Sequence, residues 1–347
     1  MINPTQRYDA LVLIGRFQPV HNAHAEIIRR AIDMAKQLII IVGSAKQPRT
    51  YKNPWTSAER RMMLQNVCDV MCTPQWCSIR IEENIDTMYN DQAWAARVQA
   101  IVRKHTQPGD KIGLIGHRKD DNTAEYLNMF PQWGFEQIEL IQPLHATNIR
   151  DLYFRRDMNL NFVKSVVPQP VFRMLEGWAN TPDHEQVIKE REFVEKYKQQ
   201  YAALPYPPIF STADAAVIQS GHVLMIKRRA EPGKGLWALP GGYVNANTDR
   251  GVKAAMLREL REETGLKVPS PVLEGSIKGE RVFDAIDRSP RGRIITHCFK
   301  IVSPDGELPK VKGGDDAEKA KWVPIGEIKS EECFEDHWEM AQWAVGA

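Results

Sequence analysis

A chain of 347 residues has room for about two domains of ordinary size. With 43% hydrophobic and 26% charged residues it has the make-up of a globular protein that can build a core in each half. A formal net charge of +2 argues against a nucleic-acid surface, and the nearest thing to a basic cluster, "RSPRGR" at 288–293, is short and better suited to phosphates or carboxylates.

No apolar run approaches the roughly 18 residues that would suggest a membrane span. The N-terminus shows no basic and apolar signal segment, so a cytoplasmic protein is expected. Five cysteines, an odd number, point the same way, to a reducing compartment. Cys68, Cys72 and Cys77 cluster loosely without a nearby histidine, which fits buried thiols better than a zinc site.

Apolar runs at 8–15, 38–45, 78–85, 110–117 and 136–143 alternate with helical patterns near 22–36, 57–70, 90–104 and 121–129. This alternation predicts an α/β domain with a parallel sheet covered by helices on both faces. "TSAE" at 56–59 has the form of a capping box and predicts a helix start. Ligands of such sheets bind beyond the C-terminal strand ends, so the loops after the apolar runs are where chemistry is expected.

"HEQVIKEREFVEKYKQQYAAL" reads as one amphipathic helix, broken by "LPYPP" at 204–208. We therefore expect one domain over 1–203, a linker at 204–208 and a second domain over 209–347. The second has β-type runs at 212–219, 222–228 and 294–302, a helix at 251–264 and a last helix near 331–345. That is an α+β arrangement.

The first candidate site is "GRFQPVHNAH", residues 15–24. Gly15 lets the chain turn tightly, and Pro19 stops the strand. A helix starting near residue 21 or 22 aims free N–H groups into the loop, an arrangement that favours phosphate. His21 and His24 are three apart and can share a side of the first turn. On spacing alone, capping or packing explains the two histidines equally well.

The stretch resembles the His/Thr-x-Gly-His signature of the nucleotidylyltransferases, and "GRFQPVH" resembles that of the nicotinamide-mononucleotide (NMN) adenylyltransferases. Ala23 stands where that family has glycine, a one-methyl change that we expect the site to tolerate. "GSAKQPRTYKNPWTSAERRMML", "DTMYNDQAWAARVQ", "IGHRKDDNTAEYLNMFPQW" and "ATNIRDLYF" extend the resemblance across roughly residues 8–175. It implies a Rossmann-like fold and adenylyl transfer, in which NMN and ATP give NAD and pyrophosphate. In that scheme His21 and His24 bind the ATP phosphates, and Arg150 with Thr147 neutralises developing charge. Gly15, Arg16, Phe17 and Lys46 belong to the ATP/NMN site. Trp94 would stack on nicotinamide, with core packing as its alternative, and Asp120 would fix the ring's surroundings.

The second candidate site is "RELREETGL", 258–266, preceded by the bend "LPGGYV". Glu259, Glu262 and Glu263 stand at i, i+3 and i+4 and crowd one helical face. Mutually repelling carboxylates are explained by a divalent cation, which takes hard oxygen ligands. Gly265 can end the helix.

This segment resembles the Nudix box. Between Gly242 and Arg258 the spacing is two residues longer than in that family. The family's first glutamate is missing, with Asp249 as the nearest acidic substitute. The resemblance implies hydrolysis of ADP-ribose to AMP and ribose 5-phosphate, with Mg²⁺, or Mn²⁺ as an alternative, held by Glu259, Glu262 and Glu263. Arg281, Arg291 and Arg293 are candidates to grip ADP-ribose, and Asp315, Asp316 or Glu318 to supply a general base.

The whole reads as a bifunctional enzyme of NAD metabolism acting on ATP, NMN, NAD and ADP-ribose, without nucleic acid or membrane partners, and compatible with a homo-oligomer. Two alternatives stand beside it. The second domain could be a sensor that binds its nucleotide without cleaving it, or the first could act on nicotinic acid mononucleotide.

Overall fold

The computed structural model describes residues 7–71, 77–117, 128–139 and 145–346. Asp120, Cys72 and most of the helix expected at 121–129 lie outside the described residues. The chain divides into two compact units, residues 1–188 and 189–347.

The first unit is built on five parallel strands: β1 (Tyr8–Gly15), β2 (Ala35–Val42), β3 (Ser78–Glu83), β4 (Ile112–Gly116) and β5 (Gly134–Gln137). Their order is β3-β2-β1-β4-β5. Successive side chains of a strand point to opposite faces. Leu11, Leu13, Leu38 and Ile40 thus enter one core, while Ala10, Val12, Ile39 and Ile41 enter another on the far face. A sheet buried on both sides needs near-continuous apolar strands, which is what "ALVLI" and "LIIIV" provide.

Helices α1 (Asn22–Met34) and α2 (Ser57–Val70) cover one face, and α3 (Asp91–Arg103) covers the other. Further helices, α4 (Ala146–Tyr153), α5 (Leu160–Val166) and α6 (Gln169–Trp178), pack into the first of these cores. The expected capping box forms: Thr56 Oγ1 accepts the Glu59 N–H and Glu59 Oε2 accepts the Thr56 N–H, at 3.3 and 2.7 Å. One boundary differs from expectation. The chain passes from α1 straight into β2 at Ala35, because pairing with β1 already begins there, Tyr8 opposite Ala35. An ion pair from Lys36 to Asp9 at 2.7 Å holds that start.

Helix α7 (Pro182–Gln199) follows. The second unit holds a mixed sheet of β6 (Ile209–Gln219), β7 (His222–Arg228), β10 (Ile277–Phe283), β11 (Arg293–Val302) and β12 (Ala317–Pro324). Its order is β10-β11-β6-β7-β12, with short β8 (Trp237–Ala238) on β7 and β9 (Gly241–Tyr243) on β6. Helix α8 (Val252–Thr264) buries Ala255, Met256 and Leu260 against β6 and β11 and ends at Gly265, whose φ of +60° is the left-handed cap.

Helix α9 (Ser270–Gly275) leads into β10. The last helix, α10 (His337–Val345), starts later than the periodicity predicts. Glu335 takes a left-handed φ of +45°, and Cys333 pairs with Trp237, so the segment before it is tied to the sheet instead of the helix. No helix among the described residues is long and apolar enough to cross a membrane.

Candidate active sites

In the first sheet β1 is central. The chain winds outward to β2 and β3 on one side and to β4 and β5 on the other. The crevice between the C-terminal ends of β1 and β4 is therefore the switch point at which open α/β sheets bind ligands. A pocket of about 540 Å³ lies there. Gly15, Arg16, Phe17, His21, His24, Thr147 and Arg150 all line it. Lys46 is exposed and outside this lining. Trp94 is half-buried in α3 and packs near Phe130, ring centroids 6.1 Å apart.

The post-β1 loop is shaped by contacts that sequence reasoning missed. Any Cβ at Gly15 would stand 3.0 Å from the Phe17 ring. Phe17 takes φ +53° and sets its ring edge-on to His24 at 4.8 Å. Gln18 is buried and exchanges two hydrogen bonds with the Trp55 backbone, at 2.8 and 3.0 Å. Arg60, also buried, donates to the carbonyls of Arg16, Gly43 and Ser44, at 2.7, 2.6 and 2.9 Å, tying together the loops after β1 and β2.

His24 Nδ1 accepts the backbone N–H of His21 at 3.3 Å, and the two rings stack at 3.7 Å. A backbone N–H only donates, so the proton of neutral His24 sits on Nε2. Capping and ligand binding are thus compatible roles for one ring.

Arg150 is buried. Its Nη1 donates to the Gln18 carbonyl at 2.7 Å and its Nη2 to Thr147 Oγ1 at 3.2 Å, while Nε has no hydrogen-bond partner among the described residues. Burial first, then the positive charge of Arg16, lowers its pKa to about 10. A buried guanidinium held by neutral oxygens favours an incoming anion.

The second site is organised by the Gly-rich bend. Gly241 N–H donates to Glu263 Oε2 at 2.9 Å. A Cβ on Gly241 would stand 2.5 Å from the Ala213 carbonyl oxygen, so the bend passes β6 only as glycine there, while one on Gly242 would meet the movable Glu259 carboxylate. Arg258 is the hub on the other side. It forms a two-pronged pair with Asp249 at 3.0 and 2.8 Å, reaches the Tyr243 carbonyl at 3.1 Å, and contacts Glu259 and Glu262 at 2.8 and 2.9 Å. The hydrogen bonds from Arg258 hold the Asp249 carboxyl below its ordinary pKa. The two extra residues of the loop are accommodated, and Asp249 closes it onto the helix.

A cavity of about 220 Å³ is lined by Asp214, Arg228, Gly241, Gly242, Tyr243, Glu259, Glu263, Arg288, Arg291, Asp315, Asp316, Glu335 and His337, among others. Glu262 is the more exposed member of the helical trio, and Glu318, Arg281 and Arg293 lie outside this lining. Arg281 stacks over Phe283 at 4.9 Å, and Arg293 faces Asp284 at 4.0 Å. Arg291 pairs with Glu335 at 3.4 Å and lies 5.8 Å from the Tyr243 ring centre.

Arg288, which opens the basic stretch 288–293 but was not named among the candidate arginines, forms a buried two-pronged pair with Asp336 at 2.9 and 2.7 Å. Tyr197, also missed, meets the Tyr243 hydroxyl at 3.0 Å. Asp214 bonds Thr296, and burial raises its carboxyl to about 7.

Burial raises Glu263 to about 8, with Glu259 and Asp214 adding repulsion. Glu259 is raised by burial too, though Arg258 counters it. Among the described residues no three His, Cys, Asp or Glu side chains converge as placed to hold a metal; Arg258 supplies the positive charge between Glu259 and Glu262. The donor set nevertheless suits a divalent cation: hard oxygens crowded on one helical face, with Glu259 and Glu263 raised in pKa by burial.

Comparison with known proteins matches residues 12–150 to the cytidylyltransferase-like family and residues 210–344 to the NUDIX domain. The chain is 33% identical over 183 residues to the nicotinamide/nicotinic acid mononucleotide adenylyltransferase of Acinetobacter baylyi, covering 52% of this chain and 92% of that protein. It is 33% identical over 142 residues to the ADP-ribose pyrophosphatase of Methanocaldococcus jannaschii, covering 41% of this chain and 73% of that one. The crystal structure of a bifunctional NMN adenylyltransferase/ADP ribose pyrophosphatase from Francisella tularensis, complexed with AMP and a manganese ion, superposes with a TM-score of 0.89. The identity there is 30%, over 98% of this chain and 99% of that one.

Proposed function

The chain belongs to the bifunctional NMN adenylyltransferase/ADP-ribose pyrophosphatases, and on that premise we propose a division of labour between its two pockets. The first joins NMN and ATP into NAD and pyrophosphate. The second hydrolyses ADP-ribose to AMP and ribose 5-phosphate with Mg²⁺, or with Mn²⁺ in its place. The observation that carries the proposal is the convergence of phosphate-directed groups in each pocket: His21, His24, Thr147 and Arg150 in one, and the Gly241–Gly242 bend against Glu259 and Glu263 in the other.

In the first pocket the NMN phosphate attacks the α-phosphorus of ATP, and pyrophosphate leaves. The chain aligns the two partners and meets the developing charge. His24 offers Nε2–H to the ATP phosphates. Arg150 approaches through the face not engaged by Gln18 and Thr147. Arg60 acts through the backbone, keeping the Arg16 and Gly43 carbonyls turned away from the phosphates.

In the second pocket Glu259, Glu262 and Glu263 would hold the divalent cation. When bound, the cation spreads the negative charge of the diphosphate in the transition state. Gly241 N–H orients Glu263. Arg258, anchored by Asp249, sets Glu259 and Glu262. Arg291 grips the diphosphate or terminal ribose, and Asp315 or Asp316 takes a proton from the attacking water.

A sensor without hydrolysis is the second reading, favoured by the hold of Arg258 on two of the three carboxylates. The closure of the loop through Asp249 supports the enzyme instead. Incubation with Mg²⁺ and either NMN plus ATP or ADP-ribose, followed by phosphorus NMR of the products, tests both. We expect NAD with pyrophosphate in the first tube and AMP with ribose 5-phosphate in the second. Bound ADP-ribose recovered intact at every Mg²⁺ and Mn²⁺ level would establish the sensor. Nicotinic acid mononucleotide in place of NMN tests the preference of the first pocket.

A further inference from the structure

His337 opens α10 and lines the second cavity, yet the hydrolysis described above gives it no part. Its ring is buried, and Nδ1 accepts the backbone N–H of Leu239 at 3.0 Å. That contact fixes the chemistry of the ring. The Leu239 N–H can only donate, so Nδ1 must present its lone pair, and the single proton of the neutral imidazole sits on Nε2. A second proton would set N–H against N–H. Burial opposes it as well and pushes the imidazole pKa down to about 3, against a raising effect from Asp336 and in concert with Arg288, Arg228 and Arg291.

Nε2 makes no hydrogen bond among the described residues. The cations of the same cavity are already engaged: Arg288 with Asp336, Arg291 with Glu335, and Arg228 with the Pro232 carbonyl at 2.9 Å. A donor lining a cavity needs an acceptor when the cavity is filled. A nucleoside diphosphate brings phosphate and hydroxyl oxygens. An uncharged donor also has a specific use in this place. It can orient such an oxygen without repelling divalent cations gathered by Glu259 and Glu263 in the same cavity.

We infer that His337 is a substrate-binding residue, donating from Nε2–H to an acceptor oxygen of the nucleoside diphosphate. The inference rests on the reading of this cavity as the ADP-ribose site. His337 also fastens the strand end that leads to Gly241, so the test must separate binding from scaffolding.

Asparagine and glutamine make that separation in the full-length protein. In His337→Asn the side-chain oxygen takes the place of Nδ1 and keeps the Leu239 contact, while the distal donor is lost. In His337→Gln an amide N–H reaches the place of Nε2. We expect His337→Asn to keep a near wild-type unfolding midpoint while its KM for ADP-ribose rises about 10-fold, the scale of one hydrogen bond to a charged oxygen. His337→Gln should recover most of that KM. An unchanged KM in folded His337→Asn, or equal losses in both variants, would overturn the inference.

Nitrogen-15 NMR of the wild-type ring provides a second measurement that needs no variant. Nε2 should carry the proton, and its signal should move when ADP-ribose is added without metal. A proton on Nδ1, or an Nε2 signal indifferent to ADP-ribose, would refute the donor. If wild-type protein released no AMP with metal, the hydrolase reading would fail by itself, and the NMR titration would still decide the role of His337.

Discussion

The two pockets differ in the ionisable groups they bury. The first holds a buried cation: Arg150, gripped by neutral oxygens, has its pKa lowered to about 10 by burial and by Arg16. The second holds buried carboxyls: burial first, then repulsion from Glu259 and Asp214, raises the Glu263 pKa to about 8. Among the described residues, the first lining carries Arg16 and Arg150 without a carboxylate, whereas the second sets carboxylates beside Arg228, Arg288 and Arg291. The supporting residues follow the same division. Arg60 orients backbone carbonyls in the first pocket, whereas Arg258 spaces carboxylates in the second.

The largest effect that would break this contrast is expected at Glu262. Glu262→Gln removes a charge and keeps the shape, and AMP release from ADP-ribose should fall to background on a chromatogram. Next, Arg150→Ala should slow NAD synthesis by about 1,000-fold, the upper range for loss of one preorganised donor. His24→Ala, which removes a neutral donor, should cost about 100-fold. NAD synthesis near the wild-type rate in a folded variant would remove the phosphate role of that residue.

Asp249→Asn sharpens the comparison at the supporting level. It weakens the anchor of Arg258 without touching a carboxylate of the helix. ADP-ribose hydrolysis should fall about 10-fold, the low end for a group that orients a ligating one. No loss would mean that the longer loop closes without Asp249.

An effect of a different kind is one of stability. His337 has a folded pKa near 3 against an ordinary 6.5, so below pH 6.5 the unfolded chain binds the extra proton first. The stability it contributes is complete above pH 6.5 and is lost as pH falls toward 3. Thermal midpoints of the second unit should decline over that window, and His337→Asn should flatten the decline.

What could be read from the sequence follows the range of the interactions. The strand–turn–helix around Gly15 and the carboxylates of α8 are local patterns, so spacing alone placed them on the right elements. Asp249 entered only through the Nudix resemblance, as the acidic residue nearest the missing glutamate, and its contact with Arg258 nine residues on was not read from the sequence. Arg288 and Asp336 are 48 residues apart, and Gln18 and Arg150 are 132 apart, so no periodicity links them. Arg60 binds only carbonyls, which every residue has, and so leaves no complementary charge to find. His337 could have been suspected only as an isolated histidine. Its role depends on meeting Leu239 across 98 residues. His117, at the end of β4, lines the first pocket and was within reach of the strand-end rule that located Gly15.

The central claim is that two independent chemistries share one chain, each tied to its own charged pocket. One mixed reaction tests it most directly: NMN, ATP and ADP-ribose together with Mg²⁺, followed by phosphorus NMR, for the wild type, Arg150→Ala and Glu262→Gln. The wild type should yield NAD, pyrophosphate, AMP and ribose 5-phosphate. Arg150→Ala should yield AMP and ribose 5-phosphate with little NAD, and Glu262→Gln should yield NAD and pyrophosphate with no hydrolysis of ADP-ribose. A single substitution that silences both reactions in a folded protein, or neither substitution silencing its own, would contradict the account.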